Sequence, residues 1–389
     1  MHKWAHRWAY LLLMAAFTPA VAAPPAATSL TVDELDRLLA QMHERGDGKT
    51  ARQLAGLKLT ERASAAQLAR WEAGLPGSHA REALIALADA SAFLHPPASE
   101  LLSSPPPDAA AAKQIVAHMI EFVKGTLPKL PNFYALRSTT AFELTTEDQL
   151  RSQQIVSDVL RPQHLKRSSY HKLGPAKSSG SPDMQLFWTG SSAQVVTYRG
   201  GSEVADSFAG GANRAPPTLF TLTTSGEFGS ILRMVLEDAS PDKTVWDHWE
   251  EGSSGPLAVF RYSVPSERSH FAVEITTDNQ PEFPAYHGEL AVDPASGAIF
   301  RITIVANGSG SGFFDESSIL VEFGPVPIGG MTYIRPVRTV AIAKFFDSNA
   351  DLDAQPPPVP FRTSINDVSF TNYHVFRTNA RIVPGTEKP

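Results

Sequence analysis

Residues 286–306 read YHGELAVDPASGAIFRITIVA, and the fold turns on them. Tyr286, Gly288, Leu290 and Val292 alternate with His287, Glu289, Ala291 and Asp293. After a break, Ala298, Phe300, Ile302 and Ile304 alternate with Ile299, Arg301, Thr303 and Val305. Period-two alternation over this length marks a half-buried strand. The break is Asp293-Pro294-Ala295-Ser296-Gly297. Proline presets φ for the second position of a type I turn, and glycine accepts the left-handed conformation at the exit. Two strands and a tight turn make a β-hairpin. Val292 opposite Ala298, Leu290 opposite Phe300 and Tyr286 opposite Ile304 places both apolar sets on one face. A one-residue slip would separate them, so this register is the expectation.

Outward from the hairpin the same alternation recurs. It predicts strands at 133–142, 244–249, 257–264, 270–276, 319–323, 333–343 and 365–376. A second hairpin is expected from 185–188 and 193–198, and Gly329-Gly330 joins two of the later strands. Two stretches switch to helical spacing. One runs from about 109 to 125, with Ile115, Met119, Ile120 and Val123 on one face. The other covers 226–238, with Phe228, Ile231, Leu232 and Val235. The count is about ten antiparallel strands with no internal 20–50-residue period, which excludes a solenoid or propeller. A sandwich, a barrel and one strongly curved sheet all suit such strands. Two helices in need of an apolar partner favour the curved sheet.

The front of the chain is helical. Thr31 and Glu34 form a capping box ahead of Val32, Leu35, Leu38, Leu39 and Met42. Further helices are expected over 50–57, from a Ser64 cap to Leu75, and from Ser78 to Phe93. The Pro-rich segment 95–108 reads as an extended connector. The expected class is therefore α+β: an N-terminal short-helix region, then a strongly curved antiparallel half-barrel covered by helices. The divisions are a signal peptide at 1–22, the helical region at 23–94, the linker at 95–108, the sheet domain at 109–380 and a tail at 381–389.

Composition limits function. The chain has 389 residues and a net charge of −6, so it has no basic footprint for nucleic acid. Lys3 and Arg7 precede an apolar run at 10–17, and Ala20-Val21-Ala22 offers a cleavage site, predicting a mature start at Ala23. That run is too short to span a bilayer comfortably. Export to the periplasm or outside is the expectation. There is no cysteine, hence no disulfide, lipobox, cysteine nucleophile or thiolate metal site.

Motifs for chemistry are weak. Gly48-Lys49-Thr50 resembles the end of a phosphate loop, but His43 stands where the earlier glycine belongs and no strand precedes it. Gly308-Ser309-Gly310-Ser311-Gly312 places glycine where a nucleophile-elbow serine belongs and reads as a flexible loop. Asp247, His248, Glu250 and Glu251 form the densest polar cluster, with His270 and His287 on strands expected nearby. A metal or acid–base site is one reading. A solvated strand face flanked by Trp246 and Trp249 is the other, because neighbours on one strand point to opposite sides. No cofactor, metal or catalytic residue is assigned.

The segments GEFGSILRMVLEDAS, WDHWEEG, LAVFRYSVPSERSHFAVE, YHGELAVDPASGAIFRITI, VEFGPVPIGGMTYIRPVRTVAI and INDVSFTNYHVFR resemble an uncharacterised family of secreted bacterial proteins. Over residues 110–380 the element order resembles the LolA/LolB-like lipoprotein-carrier superfamily. That resemblance implies a curved antiparallel sheet closed by helices, with acyl chains held in its hollow. No residue role of the carriers is transferred. Leu290, Val292, Phe300, Ile302, Ile304, Ile319, Val321 and Phe323 either form a closed core or line a cavity for an acyl chain. Arg137 and Arg301 stand at the cavity mouth or on the surface. The leading expectation is an exported non-catalytic protein that binds a lipid, a lipidated protein or another hydrophobic ligand, with peripheral membrane contact within its reach. The alternative is an envelope interaction module with a self-filled core, its N-terminal helices docking a partner. A hydrolase using Asp247, His248 or His270 is the remote third.

Overall fold

The computed structural model describes residues 28–42, 45–145, 185–205, 222–253, 255–274, 280–308, 314–346 and 361–375. The expected signal segment, residues 309–312 of the expected glycine-rich loop, and the tail lie outside the described residues. The helices described are α1 (Val32–Met42), α2 (Asp47–Ala55), α3 (Ala65–Ala73), α4 (Ser78–Ala90), α5 (Ala109–Thr126) and α6 (Ser230–Asp238). The strands are β1 (Thr28–Leu30), β2 (Leu57–Leu59), β3 (Phe133–Thr145), β4 (Gln185–Arg199), β5 (Ser202–Ala205), β6 (Val245–Gly252), β7 (Gly255–Val264), β8 (Tyr286–Val292), β9 (Ile299–Asn307), β10 (Phe314–Ile328), β11 (Met331–Phe346) and β12 (Phe361–Val375).

Ten strands form one antiparallel sheet in the order β5-β4-β3-β12-β11-β10-β9-β8-β7-β6. The protein is α+β, and the sheet is open, with β5 and β6 at its edges. The C-terminal strand β12 joins the meander β3–β5 to the meander β6–β11. The short pair β1 and β2, parallel and separate, was not signalled by alternation because each strand has only three residues.

The turn at 293–297 forms as expected. Asp293 Oδ1 accepts from Ala295 N, and its Oδ2 accepts from Ser296 N. Gly297 has φ +74°, and a Cβ there would lie 2.3 Å from the His118 carbonyl of α5, so only glycine fits. The register differs from the expected one. Leu290 pairs with Ile302, Tyr286 with Ala306 and Val292 with Ile299, and a bulge follows Ala291. A bulge adds one residue to one strand and switches the faces of those beyond it. Ile299 therefore joins the core, while Phe300 packs on the opposite face against Leu257, Val259 and Ala291.

Other expectations shift for similar reasons. The second hairpin is instead the single strand β4, which pairs with β3 throughout and carries a bulge near Thr189. The turn occurs at Gly200-Gly201, both with positive φ. Segment 270–274 makes only a bridge, Val273 to Glu282. The helix expected from 226 begins at Ser230, after a turn that sends Phe228 into another cluster.

The N-terminal caps are as read. Thr31 N donates to Glu34 Oε2 at 2.8 Å, and Glu34 N donates to Thr31 Oγ1 at 3.2 Å. Ser64 and Gln67 form a second capping box. α4 begins at Ser78 as expected, and Asp47 caps it from α2, accepting from Ala80 N at 2.8 Å. A Cβ on Gly77 would meet that carboxylate at 2.4 Å.

The sheet separates two layers. Toward one face lie α5 and α6, sealed by Ile115, Met119, Val123, Ile231 and Val235 against β7–β10. Toward the other lies the N-terminal layer. Its α4 packs Ala86, with Ala92 just beyond the helix, onto Phe142, Leu320, Val340 and Ile365. The Pro-rich connector is pinned to edge strand β6. Leu102 N donates to Trp249 O at 3.0 Å, and Trp249 Nε1 donates to Pro105 O at 2.8 Å. Covering an edge in this way removes a template for strand addition.

Candidate functional site

Leu290, Val292, Ile302, Ile304, Ile319, Val321 and Phe323 face α5 and α6, and each is between 0 and 9 % exposed. Residues lining a hollow wide enough for an acyl chain would remain accessible to a water-sized sphere. These seven meet side chains instead. Phe300, expected among them, lies on the other face because of the bulge.

Both arginines expected at a mouth or on the surface are buried, each at 7 % exposed. Arg137 donates to Thr224 O and Oγ1, both at 2.7 Å, and pairs with Glu227 at 3.3 Å. Arg301 makes a two-pronged pair with Glu250, Nη1 to Oε1 and Nη2 to Oε2, both at 2.7 Å. Alternation placed each arginine on a strand. Its partners are far off in sequence, so its burial was not legible.

The Asp247–Glu251 cluster resolves through another bulge. The ladder from β6 to β7 slips between Trp246 and His248. Asp247 and His248 thereby come together, with Nδ1 to Oδ2 at 2.9 Å, where simple alternation would part them. Trp246 and Trp249 turn to the α5 side. His248 Nε2 approaches Glu250 Oε2 at 3.5 Å, too far to count as a hydrogen bond. Glu251 is exposed. Arg62, between α2 and α3 in the chain, donates to Glu250 Oε1 at 2.7 Å, and Arg261 pairs with Asp247.

The electrostatics follow from this packing. Burial opposes the charge on Glu250, but His248, Arg301 and Arg62 outweigh it and hold the carboxyl below its ordinary range. Burial likewise opposes protonation of His248, yet Glu250 and Asp247 raise it above its ordinary value. Asp247 and Glu250 already answer guanidinium groups, Glu251 faces solvent, and among the described residues no group of three or more His, Asp and Glu side chains is arranged to hold a metal ion.

His270 is elsewhere. It pairs with buried Asp238 at the end of α6, which also accepts from Tyr286 Oη at 2.8 Å. His287 is exposed. Gly48, Lys49 and Thr50 are inside α2, so they form no phosphate loop.

A second ionic contact was missed by sequence reading. Arg338 of β11 meets Asp89 of α4 and Asp367 of β12, the latter at 2.9 Å. Asp89 and Arg338 are 249 residues apart. The only sequence signal is a charge at a strand position whose neighbours Val340 and Ile342 are apolar. Arg62–Glu250–Arg301 and Asp89–Arg338–Asp367 are thus two ion-pair networks binding the N-terminal layer to the sheet.

A cleft of about 600 Å³ opens at the far end of β10 and β11, bordered by Pro131, Asn132, Ile328, Met331, Tyr333 and Val375. None of the eight residues expected to line a cavity touches it. In comparison with known proteins, the chain matches no family model, no curated protein and no solved structure.

Proposed function

We propose that this is an exported, non-catalytic interaction module of the cell envelope, with a self-filled interior and an N-terminal helical layer that presents its outer face to a partner. The observation that carries this reading is the near-zero exposure of the seven residues facing α5 and α6. An acyl chain entering there would have to displace both helices and their dry contacts. Export rests on the sequence of residues 1–22. The layer is held in one orientation by two buried ionic networks, as suits a surface built for recognition, since buried ion pairs serve specificity better than stability.

We also read the sheet as a curved half-barrel. The segment around α6 supports this. Glu227 reaches Arg137 on β3, and Asp238 reaches Tyr286 on β8. Five inter-strand steps separate those strands, roughly 24 Å if flat, and one short segment, a turn at 227–229 followed by the nine residues of α6, contacts both. Curling brings the two closer.

The test has two arms. Native mass spectrometry and solvent extraction of the purified mature chain should show the bare mass and no diacyl lipid. A stoichiometric diacyl lipid or lipidated protein would overturn the reading in favour of a carrier. A photo-crosslinker at exposed Arg37 on α1 should capture one partner in the producing cell, and one at exposed Lys124 on α5 should not. Identical capture from both positions would count against the N-terminal face.

A further inference from the structure

Among the described residues, no carboxylate answers the buried cation of Arg335. It lies on β11 opposite Gly324 and is 2 % exposed. Its Nη1 donates to Phe228 O at 3.2 Å, and its Nε has no partner. The other three arginines described as buried to this degree, Arg62, Arg137 and Arg301, each face Glu227 or Glu250. The carboxylates nearest Tyr373, Glu203 and Glu227, are committed elsewhere. Glu203 accepts from Gly226 N, and Glu227 takes Thr224 and Arg137. Around Arg335 stand Tyr198, Tyr333 and Tyr373. The Tyr373 hydroxyl donates to Pro336 O, whereas the buried Tyr198 hydroxyl has no partner.

Burial without a counter-charge lowers the guanidinium pKa to about 10. An unpaired buried charge and an orphaned hydroxyl both weaken the fold. Such groups persist where they serve function. Tyr333, two residues along the same strand face, borders both Arg335 and the cleft. Its hydroxyl contacts only the Met331 sulfur, at 3.7 Å, and its ring packs on the cluster around Phe133, so turning it aside exchanges those ring contacts for access to Arg335. The other walls, Ile328, Val375 and Pro131, are apolar, and Met331 at the lip is 64 % exposed. The side chain of Asn132 already accepts from Gly200 N.

We propose that this cleft binds a small apolar carboxylate, with its tail against Met331 and Val375 and its carboxylate on the Arg335 guanidinium, which lies behind Tyr333 and is reached when that ring turns aside. A planar fork matches a carboxylate with two parallel hydrogen bonds, and the Tyr198 hydroxyl supplies a third donor. One buried guanidinium suits a monoanion better than a phosphate. The volume is within the range of small-molecule sites. The cleft is independent of the filled interior, because its residues are in a different cluster at the end of the sheet.

The experiment is calorimetric titration of the mature chain with decanoate and with decanol at pH 7.5. Decanoate should bind at least tenfold more tightly than decanol. Arg335→Met should lose decanoate at least tenfold while leaving the ligand-free melting temperature unchanged or higher, since a merely structural arginine would lower it. If that variant does not fold, Val375→Trp fills the cleft without altering the guanidinium and should abolish decanoate binding. Equal binding of decanoate and decanol, decanoate binding that survives these substitutions, or no binding at all would overturn the proposal.

Discussion

The two faces of the ten-stranded sheet are held by different physics. Toward α5 and α6 the contact is dry and apolar: Ile302, Ile304 and Val321 against Met119, Ile231 and Val235. Toward the N-terminal layer a smaller apolar patch is flanked by the ionic networks of Arg62–Glu250–Arg301 and Asp89–Arg338–Asp367. Apolar burial is non-directional and scales with area, so it stabilises the first face without fixing its geometry closely. Charge pairs contribute little net stability once desolvation is counted, but they penalise every wrong arrangement. One face supplies cohesion and the other supplies orientation.

The largest expected effect separates the two. Glu250→Ala leaves Arg62 buried without a carboxylate and Arg301 with only the longer contact to Glu289 at 3.8 Å, and should cost about 3–5 kcal/mol in denaturant unfolding. Replacing Arg62, Glu250 and Arg301 together by Met, Leu and Met should cost less than that single change. If the triple variant is the less stable, the ionic face is a source of cohesion after all. On the apolar face, Ile302→Ala should cost about 3 kcal/mol and show no such rescue.

A smaller effect is visible as a pH dependence. Burial and the neighbouring Glu227 push the Glu203 carboxyl up to about 7, from an ordinary 4.5. The unfolded chain releases that proton first, so this group's contribution is intact below 4.5 and is lost as pH rises to 7. Glu203→Gln keeps an oxygen for Gly226 N and removes the charge. It should be more stable than the parent at pH 8 by about 2 kcal/mol, with no gain at pH 4.5. Equal stability at both values would mean that Glu203 is not held protonated. Glu250 works in the opposite sense: its depressed carboxyl stabilises the fold above the ordinary carboxylate range, and that support is lost as pH falls through its folded value. The smallest effect is at the first cap, where Thr31→Ala should cost about 1 kcal/mol.

The difference between the faces also explains what was legible in the sequence. Alternation along 286–306 and helical spacing along 109–125 exposed the apolar face, because each pattern is local. The turn Asp293–Gly297 was legible for the same reason. Bulges were not: the extra residue near Phe300, and those near Asp247 and Thr189, leave composition unchanged but switch the faces of the residues beyond them. The ionic face was hidden because Arg62 and Glu250 are 188 residues apart. Arg335 was hidden in another way, since a charge on an apolar strand reads as a surface residue until its neighbours are placed.

The central claim is that α5, α6 and the sheet share one filled interior. Native-state hydrogen exchange, residue by residue, tests it most directly. The account predicts that amides of Ile115–Val123 and Ile231–Val235 exchange only with global unfolding, at the same free energy as those of β8–β10, and that added lipid changes nothing. Helices that open well below the global unfolding free energy, and slow when lipid is supplied, would contradict it.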